Sequence, residues 1–245
     1  MLRLRITSAY LAVLALAALA FASPILHAGA FSVTPVRIYM KPHDRAVALT
    51  IVNEGTTEVA LQADMNSWTQ QPDGSDVIEL TEDMIVSPPI IRLAPKARQV
   101  VRLARLQPPD LVRQLTYRLI VREVPEAATP HDKTIQVPIA LALSMPVFIT
   151  PPNTARVVDC ELSRTEAQAL EARCANTGTA YAQIREIVVS RGEQTLARFE
   201  GGSYILPGAR RNLAVKGDQA IEPGLAQMDV RYDDGKTQRF EVTLP

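Results

Sequence analysis

The chain runs to 245 residues and carries 26 lysines and arginines against 26 aspartates and glutamates, a formal net charge of zero at pH 7. So even a balance gives no electrostatic footprint for nucleic acid or for an anionic membrane surface. Aromatic residues make up 5% of it, with Trp68 the single tryptophan, too few for a surface that stacks sugars or nucleotides.

Arg3 and Arg5 form a basic start, Ala9 to Ala22 is apolar, and Ala28-Gly29-Ala30 is a small-residue cleavage site. That pattern is a secretory signal peptide over residues 1–30, cleaved after Ala30. The apolar run is short and broken by Pro24, which argues against a membrane anchor. No later segment is long and apolar enough to insert in a bilayer. Phe31 to Pro245 is then the exported protein, long enough for two domains of roughly 100 residues each.

The exported part reads as strands and turns almost throughout. Candidate strands are Val33–Met40, Ala46–Asn53, Glu58–Ser67, Val77–Leu80, Arg98–Arg105, Leu115–Val124 and Ile135–Thr150. Lys41-Pro42, Asn53-Glu54-Gly55, Pro72-Asp73-Gly74, Ser87-Pro88-Pro89, Ala94-Pro95 and Gln107-Pro108-Pro109 supply the turns between them. Seven short strands of this kind match an immunoglobulin-like sandwich. Pro151-Pro152-Asn153 breaks the pattern and serves as a linker. A second set follows: Ala155–Ser163, Ala169–Asn176, Ala182–Ser190, Thr195–Glu200, Arg211–Lys216, Gln227–Tyr232 and Thr237–Leu244. Gly201-Gly202, Pro207-Gly208, Glu222-Pro223-Gly224 and Asp233-Asp234-Gly235 punctuate it. The expected fold is all-β, two immunoglobulin-like sandwiches in tandem, over residues 31–151 and 152–245.

The last strand of the first set is unusual. Ile135, Val137, Ile139, Leu141, Leu143 and Met145 are large and apolar at every second position, and Gln136, Pro138, Ala140, Ala142, Ser144 and Pro146 alternate with them. A period of two puts the large residues on one face. Pro138 cannot donate a ladder hydrogen bond, which makes this an edge strand or one paired on one side only. No charge interrupts it between Lys133 and Arg156. Either its apolar face is core, or its edge is kept open to pair with another polypeptide.

Cys160 and Cys174 are the only cysteines. They flank a hairpin whose tip lies near Thr165–Gln168, so antiparallel pairing sets them opposite each other. In an oxidising compartment that favours a disulfide over two free thiols. A zinc site would need ligands that no nearby Cys or His supplies, and no metal is expected. Nucleophile-elbow, phosphate-loop, dinucleotide and zinc-protease motifs are absent. His43 and His131 sit beside turns as solvated histidines, and Trp68 reads as core or strand-edge packing. These absences point to protein–protein work, with no catalytic residue and no cofactor.

Three segments carry a family resemblance. They are Thr34-Pro35-Val36-Arg37-Ile38 with Ala48 to Asn53, then Val86 to Pro95 running into Arg98 to Leu103, and Tyr117 to Pro125 followed by the alternating strand. In this order, behind a signal peptide, they resemble the periplasmic chaperones of the chaperone–usher pilus pathway. The match covers nearly all of the first domain; the second matches in length and strand pattern. The resemblance implies that Val137, Ile139, Leu141 and Leu143 are lent to a pilus subunit that lacks its own last strand. It implies that Arg37 grips the subunit's terminal carboxylate in the cleft between domains, and that subunits are passed to an outer-membrane usher from the periplasm. The second basic anchor of the family is a lysine where this chain has Pro146. Ser144 to Ile149 looks more like the divergent, archaic branch, whose carboxylate grip is arranged differently. Gln114 stands where many members carry a glutamate that braces the domains, so no interdomain ion pair is expected there. Glu126–Lys133 is short, implying a short donor arm. The free protein could also cap its edge by dimerising. The rivals are a pilus subunit or adhesin, or a secreted binding or enzymatic sandwich; the chain lacks the single incomplete domain of the first and the polar constellation of the second.

Overall fold

The computed structural model describes residues 31–108, 110, 112–125, 140–165, 169–217 and 221–244. The segment read as a signal peptide lies outside them, as do His131, Val137, Pro138 and Ile139. Every regular element among the described residues is a β-strand. The first half holds β1 (Phe31–Thr34), β2 (Ile38–Met40), β3 (Ala46–Asn53), β4 (Val59–Gln70), β5 (Asp76–Leu80), β6 (Met84–Ser87), β7 (Ile90–Leu93), β8 (Arg98–Arg105), β9 (Leu115–Glu123) and β10 (Ala142–Ile149). They form the sheets β1-β3-β8-β6 and β2-β10-β9-β4-β5, with β7 also on β4. The second half holds β11 (Val158–Arg164), β12 (Leu170–Asn176), β13 (Ala182–Arg191), β14 (Gln194–Ile205), β15 (Arg210–Ala214), β16 (Gly224–Tyr232) and β17 (Thr237–Leu244). Its sheets are β11-β12-β15 and β14-β13-β16-β17. Each pair of sheets closes on its own apolar core, around Ile51, Leu61, Leu103 and Leu119 in the first and Ile184, Val189, Met228 and Val230 in the second. This is the expected tandem of sandwiches.

The stretch Val33–Met40 is not one strand. It breaks at Pro35, which cannot donate to a ladder, and the chain crosses from one sheet to the other. Phe31 and Val33 are buried before the break, Ile38 and Met40 after it. Burial passes from odd to even positions, and that shift of phase keeps both pieces facing one core. Met84–Ser87 and Ile90–Leu93 are strands rather than loop: Pro88-Pro89 is the corner that carries the chain from a pairing with β8 to one with β4. Gly201-Gly202 is not a turn but lies inside β14. A Cβ on Gly201 would stand 2.7 Å from the tip of the half-buried Phe199 ring, which lies over the glycine.

The two halves share a corner lock. Asn53 and Asn176 end β3 and β12 and are both buried. Each side-chain amide donates to a carbonyl four residues on, Thr57 or Ala180, and to a distant one, Leu93 or Ile205. Each side-chain oxygen accepts the N–H of a glycine two residues on, Gly55 or Gly178. Buried polar groups satisfied in this way fix the corner's geometry.

Cys160 and Cys174 are register partners in β11 and β12 and are joined as a disulfide with Cα atoms 4.1 Å apart. Closing a loop of this length stabilises by on the order of 3 kcal/mol. Mass spectrometry of non-reduced protein is expected to show the linked peptides. Two alkylatable thiols in native material would contradict it.

Candidate functional site

β10 is flanked by β9 along its whole length, Ala142 to Ile149. On its other side β2 covers only Val147 to Ile149, and in parallel. The edge of Ala142–Pro146 therefore has no strand beside it among the described residues. The core-facing side chains form a continuous row: Met145, Val147 and Ile149 are buried, while Leu143 and Leu141 are half-buried against the end of the same core.

The opposite face of that sheet meets the second sandwich. Tyr39 and Phe148 are register neighbours, and with Trp68 they form a row that docks on Tyr181, Tyr204 and Leu206. Phe148 stacks on Tyr181 with centroids 4.2 Å apart, and Trp68 meets Tyr204 edge-on at 5.1 Å. Trp68 is thus packed, as expected, but in the joint between sandwiches rather than in either core. The aromatics are few in the sequence, yet these five rings gather at one place.

Two glutamines brace the joint. Gln114 is buried; its amide donates to Thr150 Oγ1 at 2.7 Å, and its oxygen accepts the Tyr181 N–H at 2.9 Å. Gln70 donates to the Tyr204 carbonyl and accepts the Leu206 N–H at 2.8 Å. No ion pair forms at Gln114, yet the residue still ties the halves together by neutral hydrogen bonds.

Ion pairs across the joint are made by Arg211 with Asp76, at 3.8 Å, and more closely by Arg37. Arg37 lies in the bend between β1 and β2, where the chain changes sheets, and is neither a strand residue nor a solvent-facing one. Its Nη1 donates to Asp233 Oδ2 at 2.6 Å and to the Tyr39 hydroxyl at 3.3 Å, and its Nη2 donates to Gln183 Oε1 at 2.6 Å. The Tyr181 hydroxyl also donates to Asp233 Oδ2, at 3.0 Å, so in the 2.7 Å contact of Tyr39 with Tyr181 it is Tyr39 that donates. Burial, then the bond to Tyr39 and the charge of Asp233, hold the Tyr181 hydroxyl well above the ordinary tyrosine range, so it stays a donor. Arg37, Tyr39, Gln114, Thr150, Tyr181 and Asp233 line a cavity of about 640 Å³.

A second arginine was legible as a residue but not as a site. Arg118 on β9 is the register partner of Pro146. Its guanidinium carbon sits 3.7 Å from the Trp68 ring centroid and 5.6 Å from that of Tyr204, while Arg37 lies 5.8 Å from the same Tyr204 ring. Its Nε is buried with no hydrogen-bond partner among the described residues. Burial pushes its pKa down, the mark of a cation only partly compensated by its surroundings. The signal in the sequence was its parity: Tyr117, Leu119 and Val121 face the core, so Arg118 must take the cleft face.

Of the residues singled out by sequence, Leu143 lies on β10, Leu141 immediately precedes that strand, and Arg37 immediately precedes β2 of the same sheet. Cys160 and Cys174 serve the core of the second sandwich. His43 is an exposed loop residue beside Asp44. No cluster of three His, Cys, Asp or Glu side chains suited to a metal occurs among the described residues, and no helix among them is long and apolar enough to cross a membrane.

A family model described as pili and flagellar-assembly chaperone, PapD N-terminal domain, matches residues 30–155, just over half of the 245 residues. Among solved structures, a chain of the CsuC–CsuE chaperone–tip adhesion subunit pre-assembly complex, from the archaic chaperone–usher Csu pili of Acinetobacter baumannii, aligns with a TM-score of 0.65. It is 19% identical and the alignment covers 87% of this chain and 98% of that one. The E. coli chaperone DraB aligns with a TM-score of 0.56 at 19% identity, over 88% and 96% of the two chains. A chain of the Salmonella enterica SafA pilin–SafB chaperone complex aligns with 0.57 at 16%, over 87% and 96%. At such identities the shared property is the fold. No curated protein matches the chain by sequence.

Proposed function

Because the chain belongs to the family of pili and flagellar-assembly chaperones, we propose that it is a periplasmic protein that holds immature pilus subunits by strand addition and passes them to an outer-membrane usher. It works as two domains, residues 31–151 and 152–245, exported behind the signal peptide and without cofactor or catalysis. The observation that carries this reading is where the open edge of β10 stops. A strand added along Ala142–Pro146 can form main-chain bonds with β10, but β2 occupies the next positions and blocks it. If the added strand runs parallel to β10, as β2 does, its C-terminus arrives at the N-terminal end of β2. Arg37 immediately precedes that end, and Arg118 stands opposite Pro146.

A terminal carboxylate at that point meets two guanidinium groups in a half-buried cleft, where a charge-assisted bond is strongest. Arg118 thereby takes the place of the basic residue that Pro146 cannot be. Leu141 and Leu143, with Val137 and Ile139 beyond the described residues, supply the alternating apolar side chains that fill the subunit's gap. In the free protein the same edge is available to a second copy of the chain. The test is co-expression with pilus subunits encoded beside this gene, followed by pull-down. Recovery of a subunit that aggregates when expressed alone is the expected result. Failure to keep any of them soluble overturns the reading.

A further inference from the structure

The cleft holds a carboxylate of its own. Asp233 lies in the turn that follows β16, and its Oδ2 accepts from Arg37 Nη1 at 2.6 Å and from the Tyr181 hydroxyl at 3.0 Å. Its side chain is 13% exposed and that of Arg37 is 30%. Those two donors face the region where the terminal carboxylate of an added strand arrives. Arg118, by contrast, has a buried Nε with no partner.

We propose that Asp233 is a built-in surrogate for the partner's carboxylate: it occupies Arg37 in the free chaperone and gives it up when a subunit's C-terminus enters. This rests on the reading of the cleft as a carboxylate receiver. The exchange is chemically matched at Arg37, one carboxylate for another on the same guanidinium nitrogen, so the half-buried guanidinium keeps a counter-ion throughout. Gln183 holds the other nitrogen, Nη2, at 2.6 Å with a neutral oxygen, which keeps the guanidinium aimed while Nη1 changes partner. The released Asp233 has cations at hand. Arg156 and Lys236 already face its neighbour Asp234, at 3.4 Å and 4.0 Å. Only a terminus placed beside the N-terminal end of β2 can reach Arg37 and displace Asp233, so the exchange discriminates register.

The experiment uses the full exported chain and sodium acetate as the probe, followed through the side-chain Nε resonances of Arg37 and Arg118, with acetamide as the uncharged control. In the wild type, acetate is expected to shift Arg118 at lower concentration than Arg37. In Asp233→Asn, which keeps the shape and removes the charge, the Arg37 midpoint should fall at least threefold. Tyr181→Phe removes one of the two bonds to Oδ2 and should move the Arg37 midpoint the same way by less. If Asp233 is only a brace that positions Arg37, both variants leave that midpoint unchanged or raise it while Arg118 still responds, and the surrogate role is overturned. If acetate shifts neither arginine in any of the three proteins, the carboxylate-receiving cleft itself falls.

Discussion

Leu141→Glu is expected to leave the free chaperone folded and to abolish subunit capture. Leu141 packs half-buried against the end of the first core, where β10 begins. A fully buried leucine cut to alanine costs about 2–5 kcal/mol; this one removes little apolar area from water in the free protein and should cost on the order of 1 kcal/mol. In the complex its side chain would fill an apolar groove of the subunit, and a carboxylate placed there is neither solvated nor paired. Glu123 accepts the Leu141 N–H through its own carboxylate at 3.5 Å, so like-charge repulsion could contribute. Leu141→Gln separates the two effects, because it keeps the polarity without the charge. Urea denaturation of each variant, paired with co-purification of a subunit, reads both quantities. Strong destabilisation with intact capture would return Leu141 to the core and remove the strand-donation mechanism.

Arg118→Met is expected to separate binding from stability in the opposite way to most buried substitutions. The guanidinium lies on Trp68 with its Nε unpartnered, so the stacking and the charge of Asp76 offset only part of the desolvation that lowers its pKa. Methionine keeps an arm on the indole ring and makes favourable sulfur–aromatic contact. The free variant should be as stable as the wild type or more so. Capture should weaken by about 2–5 kcal/mol, the range for truncating one partner of a desolvated charge pair. Arg37→Ala gives the contrast, because it strips Asp233 of its ion pair and so costs stability as well. Chemical denaturation and subunit titration distinguish the two arginines. Loss of stability in Arg118→Met with unchanged subunit affinity would make Arg118 a structural residue.

What could be read from residues alone was whatever depends on neighbours along the chain. Alternation placed the strand Thr237–Leu244 at its observed ends, and it set Cys160 against Cys174 through hairpin register. It also marked β10 as a strand, while the reading of it as an edge rested on Pro138, which lies outside the described residues. Local pattern failed where a strand changes sheets: Pro35 and Pro88-Pro89 look like simple breaks, and only the assembled sandwich makes them crossings. The glycines at 201 and 202 misled for a related reason, since the Phe199 ring that lies over Gly201 is a packing fact. The cleft was least legible. Arg37 meets Asp233 and Gln183 across 196 and 146 residues of chain, and the aromatic joint draws Trp68, Phe148, Tyr181 and Tyr204 from both halves. How two sandwiches dock is not encoded in any period of either.

Trp68 gives the molecule an optical property that follows from its place. It is the only indole in the chain and is fully buried between Tyr204 and the Arg118 guanidinium, with its Nε1–H bonded to Asp76 at 3.1 Å. Its emission therefore senses the seam between the sandwiches and neither of their interiors. If the halves separate before either one melts, a fluorescence trace will report that parting at lower denaturant than circular dichroism reports loss of strand. A subunit terminus that enters beside Arg118 will register in the same signal without any added label.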